Sequence, residues 1–176
     1  SRPMNRVGDM APYSGAVMAI DPSGRGADET AWAIVGFYAG QMFLLHMGSN
    51  KGGFENHVLK KIAMDARRFN VTRIITESNF GQGMFAALLR PVLIKHYPCT
   101  VEEIHQNVQK ERRICDTLEP LLNSHKLIVN RTVCLEDVRS TVNYPPEEQQ
   151  HRSLMHQLSR ITREKGCLRH DDRVDV

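Results

Sequence analysis

The chain has four cysteines, Cys99, Cys115, Cys134 and Cys167, and no two of them form a Cys-x-x-Cys pair. That scatter argues against a zinc site and reads as free thiols of a reducing compartment. The eight histidines make no His-x-x-x-His or similar ligand set. A Gly-x-x-x-x-Gly-Lys-Ser/Thr loop is missing, which argues against a P-loop nucleotidase. No apolar run approaches the roughly 18 residues that a membrane-spanning helix needs, so no membrane partner is expected. Aromatic residues are few, six Phe, four Tyr and one Trp. They fall mostly on apolar faces and give no interleaved stacking platform. Trp32 sits at strand spacing and reads as core. Neither sign of charge dominates, since 23 Lys and Arg oppose 20 Asp and Glu. A net charge of +3 permits a nucleic-acid partner without demanding one.

What is present suffices for one globular domain. A chain of 176 residues with 41% apolar content can bury a real core, and no internal repeat or interdomain linker interrupts it. Residues 1–14 are polar and read as a linker or tag remnant, so residues 15–176 carry the fold. The chain stops just as a helix begins. A truncated final helix, in a domain excised from something longer, is therefore expected.

Periodicity sets out the elements. "GAVMAID" (15–21) is a nearly continuous apolar run closed by an acid, the signature of a buried strand. "TAWAIVGFY" (30–38) and "QMFLLHMG" (41–48), separated by Ala-Gly, read as a tight hairpin. Residues 54–69 place apolar side chains at helical spacing. "VTRIITE" (71–77) is a strand that again ends in an acid. A helix capped by Asn79 is expected from Phe80 to about His96. A strand in "CTVEEIHQ", a helix in "VQKERRICDTLEPLLNSH" and a short strand in "KLIVN" follow. "TVCLEDVRST" and "SLMHQLSRI" read as helices, with "VNYPPEEQQHR" a loop between them. The order describes an α/β fold, a mixed sheet with antiparallel strands first and crossover helices after. The glycine-rich "PSGRGADET" could cradle a phosphate, but a plain connection between strands is the simpler reading.

The chemistry lies in the acids. Asp21 and Glu77 each close an apolar strand, where open α/β sheets bind ligands. If those strands are adjacent and parallel, the two carboxylates emerge together, and burying unpaired charge costs several kcal/mol. Asp171, Asp172 and Asp175 crowd into "HDDRVD" near the chain end, and Asp172 and Asp175 share one helical face. An oxygen-only ligand set suits Mg²⁺ or Mn²⁺ rather than zinc. Two such ions about 4 Å apart suit phosphodiester hydrolysis. Taken singly, each acid also has a structural reading as a turn residue or helix cap.

The stretches "DPSGRGADETAWAI", "ITESNFGQGMF", "YPCTVEEI", "QKERRICDTLEPLLNSHKLIV", "SLMHQLSRITREKG" and "HDDRVD" together resemble the nuclease domain of the large terminase subunit of tailed bacteriophages, in its short-tailed coliphage-like group. The resemblance runs from about Val17 to the end. It implies a ribonuclease H-like fold and a metal-dependent endonuclease that cuts concatemeric viral DNA at the start and end of packaging. It also implies that Asp21 is the first-strand aspartate, Glu77 the fourth-strand acid, and the terminal acids the last ligand group. Between Asp171 and Asp172 the principal ligand stays open. The i, i+3 acid pair that resolvases carry on their final helix favours Asp172 with Asp175.

In that family a lysine and an arginine equivalent to those of "QKERRI" face the cleft, which assigns Lys110, with Arg112 and Arg113, to DNA phosphates. Arg160, Arg163, Lys165 and Arg169 make a basic approach to the acids, and His170 is a candidate phosphate or water contact. The partners implied are double-stranded DNA, the terminase ATPase domain, the portal and the small terminase subunit, in the cytoplasm of the infected host. A resolvase-type nuclease on branched DNA is the competing enzyme reading. A docking module for portal or motor is the non-enzymatic one.

Overall fold

The computed structural model describes residues 15–23, 29–51, 53–77, 83–105 and 107–176. Six strands form one sheet: β1 (Ala16–Asp21), β2 (Glu29–Tyr38), β3 (Gln41–Lys51), β4 (Val71–Glu77), β5 (Thr100–Ile104) and β6 (Leu127–Val129). Their order is β5-β4-β1-β2-β3-β6. The first three strands pair antiparallel, while β4 lies parallel to β1, β5 to β4 and β6 to β3. The sheet is therefore mixed, as the sequence predicts. The β2–β3 hairpin turns at Ala39 and Gly40, both at positive φ (49° and 73°), the primed geometry that matches strand twist.

Each face of the sheet has its own core. Met18, Ile20, Trp32 and Ile34 point to one side and meet α1 (Asn56–Arg68) and α2 (Met84–His96). There α1 buries Val58, Leu59, Ile62, Ala63 and Ala66, each large aliphatic side chain contributing about 1.5–3 kcal/mol. Trp32 is fully buried, and its indole N–H donates to Asp65 at 3.0 Å, which satisfies the ring's polar end. Gly48 is required beside it. A Cβ at that position would stand 2.1 Å from Trp32 Cε2.

On the opposite face Ala33, Val35 and Leu44 pack against α3 (Lys110–Asn123), α4 (Arg131–Thr141), α6 (Leu154–Arg160) and the final residues. Asn130 caps α4, its side chain accepting from the Thr132 N–H at 3.1 Å, as short polar residues do. The chain end is part of this layer. Val174 N and Asp175 N both donate to the Asp171 carbonyl at 3.1 Å, closing one helical turn, and Asp172, Arg173 and Val174 are buried.

Two elements differ from expectation. Strand β3 continues past Gly48 to Lys51, because it stays paired with β2 as far as Glu29. The segment expected as a loop contains a short helix, α5 (Pro146–Gln149), which Pro at the first helical position and Glu147 and Glu148 in the first turn favour. Asn79 and Phe80, expected to open α2, and most of the glycine-rich loop after β1 lie outside the described residues. Among the described residues, no helix is long and apolar enough to cross a membrane.

Candidate active site

Parallel pairing of β1 with β4 fixes the first two acids. The register aligns Ile20 with Thr76, so Asp21 and Glu77, one residue further on, leave neighbouring strands at the same end of the sheet. Asp175, from the terminal turn, joins them. Asp21, Glu77 and Asp175 each offer a carboxylate oxygen within 4.8 Å of the others.

Two side-chain cations stand among these acids, both from the first turn of α3. Lys110 Nζ lies 3.0 Å from Asp175, 3.1 Å from Asp171 and 3.9 Å from Asp21. Arg113 Nη2 lies 2.7 Å from Asp175 and 3.1 Å from Glu77. The Glu77 contact is ionic only, and that Oε1 is buried without a hydrogen bond. Lys110 and Arg113 are three apart on one helical face, which is why both reach the site and Arg112, between them, is exposed.

Burial pushes Asp21 up to about 7. Asp175, Glu77 and Asp172 add to the effect, and Lys110 only partly opposes it. The distances explain this, since Lys110 sits closer to Asp175 and Asp171 than to Asp21. For Lys110, burial works toward a lower value, but the carboxylates of Asp175, Asp21 and Asp171 outweigh it and hold the ammonium well above its usual range. Four carboxyl groups (Asp21, Glu77, Asp171, Asp175) face two side-chain cations (Lys110, Arg113), so the acids outnumber the cations by two. An oxygen-only donor set with that surplus, a buried unbonded Glu77 oxygen and an Asp21 that resists ionisation fits a divalent cation.

The other expected residues lie around this centre. Asp171 faces Lys110 rather than the three-acid group. The Asp172 carboxylate meets buried Arg152 at 3.3 Å. Of the terminal acids expected as ligands, Asp175 is the one grouped with Asp21 and Glu77, while Asp172 pairs with Arg152. Arg169 is exposed, 3.6 Å from Glu148, and His170 is half-buried in the strand of chain entering the turn. Arg163 is engaged by Asp116 and Glu119, away from the acids.

Residues 20–127 match the family model described as "Terminase Bacteriophage T7, Ribonuclease H-like domain". The chain is 40% identical over 164 residues to the large terminase subunit of Enterobacteria phage T3, an alignment covering 93% of this chain and 28% of that protein. The chain belongs to this family of terminase ribonuclease H-like domains. It spans little more than a quarter of the length of that relative. Among solved structures it is similar to the human cytomegalovirus terminase nuclease domain, manganese-soaked and inhibitor-bound. There the TM-score is 0.63 with 15% identity, over 93% of this chain and 80% of that one. It is also similar to the nuclease domain of the large terminase subunit of bacterial virus Sf6, with TM-score 0.55 and 14% identity, over 88% and 74% of the two chains. At such identities the likeness bears on the fold alone.

The family match ends before the terminal acids, so their place in this terminase domain rests on its own geometry. That geometry also depends on two buried arginines outside the expected site residues. Arg152 and Arg173 are each 2% exposed; Arg152 meets the acidic turn at Asp172, and Arg173 belongs to the turn and runs from it to Glu29 and Asp137. Arg173 carried a signal, as a cation inside a run of three aspartates. Arg152, in an irregular segment about twenty residues away, carried none.

Proposed function

We propose that this domain is a metal-dependent endonuclease that hydrolyses phosphodiester bonds of double-stranded viral DNA during genome packaging, without sequence preference. The observation that carries the reading is the convergence of Asp21, Glu77 and Asp175 at one end of a ribonuclease H-like sheet, in a chain of a terminase family. Similarity in fold to terminase nuclease domains, one of them manganese-soaked, supports it. On this reading the domain works in a packaging assembly with an ATPase domain, portal and small terminase subunit, in the cytoplasm of the infected host.

Asp21, Glu77 and Asp175 would hold Mg²⁺ or Mn²⁺, two ions when DNA is present. A bound divalent cation supplies positive charge at the scissile phosphate and acidifies water. The protein's own groups do the rest. Asp21 and Glu77 project from paired strands and so hold their spacing without reorganisation. Lys110 and Arg113, anchored by Asp171 and Asp175, present donors to phosphate oxygens. Contacts to phosphate and to duplex shape carry no base information, which accounts for cutting without sequence preference.

Nicking of supercoiled plasmid tests this, with EDTA, Mg²⁺ or Mn²⁺, on wild type, Asp21→Asn and Glu77→Gln. Metal-dependent nicking by wild type, reduced at least about a hundredfold in both variants, is expected. Equal nicking by folded Asp21→Asn sinks the reading.

A further inference from the structure

Three of the site's elements are held by regular structure. Asp21 and Glu77 end paired strands, and Lys110 and Arg113 stand on a helix. Asp175 has no such support. It hangs on the single turn 171–175, so its position comes from whatever fixes that turn. Side chains leave the turn in three directions. Asp171 and Asp175, four apart, take Lys110; Asp172 takes Arg152; Arg173 runs the other way, into the protein.

The Arg173 guanidinium is 2% exposed. Nε donates to Glu29 at 3.1 Å, Nη1 to Asp137 at 2.9 Å and to Ser140 at 2.7 Å, and Nη2 to the Ser49 hydroxyl at 3.0 Å. Those partners stand at the start of β2, on α4 and near the end of β3. They are themselves fixed: the Tyr144 hydroxyl donates to Glu29, while Asp137 accepts from Ser153, Leu154 N and Met155 N at the start of α6. The backbone N–H groups of Arg173 and Val174 donate to Gln157 Oε1 at 3.2 and 3.1 Å, and Gln157 in turn donates to the His151 carbonyl.

We propose that Arg173 is the positioning residue of this site, holding the terminal turn in the setting that puts Asp175 and Asp171 on Lys110 and Asp175 beside Asp21 and Glu77. Its guanidinium partners are Glu29, Asp137, Ser140 and Ser49, none of them among Asp21, Glu77 and Asp175, so it acts through the backbone of the turn. The role needs the guanidinium's planar fork, because a lysine at this depth can meet one acid but not Glu29, Asp137 and two hydroxyls together. Its consequence for metal binding rests on the proposed nuclease reading; its consequence for Lys110 does not.

The test is Arg173→Lys, which keeps the buried charge, with Gln157→Ala as a second variant that loosens the turn without touching the ion pairs. Circular dichroism checks folding, nitrogen-15 NMR reads the Lys110 ammonium, and electron paramagnetic resonance reads Mn²⁺ affinity. Folded Arg173→Lys is expected to lose the exchange-protected Lys110 ammonium signal. It should bind Mn²⁺ about 10- to 100-fold more weakly, with nicking recovering as Mn²⁺ is raised. If Arg173→Lys does not fold, the same two readouts on Gln157→Ala decide. An unchanged Lys110 signal and unchanged Mn²⁺ affinity, with only a lower Tm, overturn the proposal and leave Arg173 a structural residue. Wild type that binds no Mn²⁺ would sink the nuclease reading instead, and the Lys110 signal would still decide where Arg173 holds the turn.

Discussion

At the scale of single residues, the crowded acids coexist because Lys110 and Arg113 stand among them, and Asp21 is the member least compensated. Its carboxyl, raised by burial to about 7, binds a proton more tightly in the folded than in the unfolded chain. Metal-free stability should therefore fall as pH rises from about 4 to 7, the span between the unfolded and folded values. Asp21→Asn removes that dependence. Its stability should equal wild type below about pH 4 and exceed it by a growing margin up to pH 7. Above that the margin should stay constant, on the order of 2–4 kcal/mol. Urea unfolding of both proteins across pH, in EDTA, measures it. A margin that shrinks toward pH 7 would mean Asp21 is stabilised as a carboxylate. Sequence sufficed to single out Asp21 and Glu77, since each is an acid closing an apolar strand. It did not sort the terminal aspartates. Helical spacing pairs Asp175 equally with 171 and 172, and the choice is made by Arg152, whose approach to Asp172 has no local signature.

At the scale of elements, the strands and longer helices were legible because each has one dominant period and a clear stop. Strand β4 agrees at both ends, and β3 runs beyond the apolar stretch 41–48 to Lys51, because Gly48 makes room for Trp32 and pairing with β2 continues past it. The helix α5 went unseen because two adjacent prolines mark a loop unless the second stands at a helix start. The β2–β3 turn offers a test of element-level chemistry. Ala39 adopts φ 49° ahead of Gly40 at 73°, a left-handed setting that strains an alanine and that asparagine tolerates. Ala39→Asn should stabilise the protein by about 1 kcal/mol and raise Tm by roughly 2–4 °C. Thermal unfolding checks this, and a lowered Tm would show that the Ala39 side chain makes a contact worth more than the strain.

At the scale of the whole molecule, the candidate site does not exist until the chain has folded. Its groups come from residues 21, 77, 110–113 and 171–175, brought together by a strand crossover and by a terminal turn locked under β2 and α4. Sequence order predicts the strands but not that β1 and β4 are neighbours, and that adjacency is what turns two separate acids into a pair. A cation bound by such a site binds the folded state alone, so binding and stability are linked. At a free Mn²⁺ concentration a hundred times its Kd, the gain is about 2.7 kcal/mol, a rise in Tm of roughly 5–10 °C for a chain of this size. The rise should follow the logarithm of Mn²⁺ concentration once above Kd, because each further tenfold adds about 1.4 kcal/mol. In Asp21→Asn it should be largely lost even though that variant starts from a higher metal-free Tm, since the charge whose removal relieves repulsion is also, in the proposed function, a ligand. Tm titrations of the two proteins with Mn²⁺ should therefore cross. Parallel curves would place the bound ion somewhere other than Asp21.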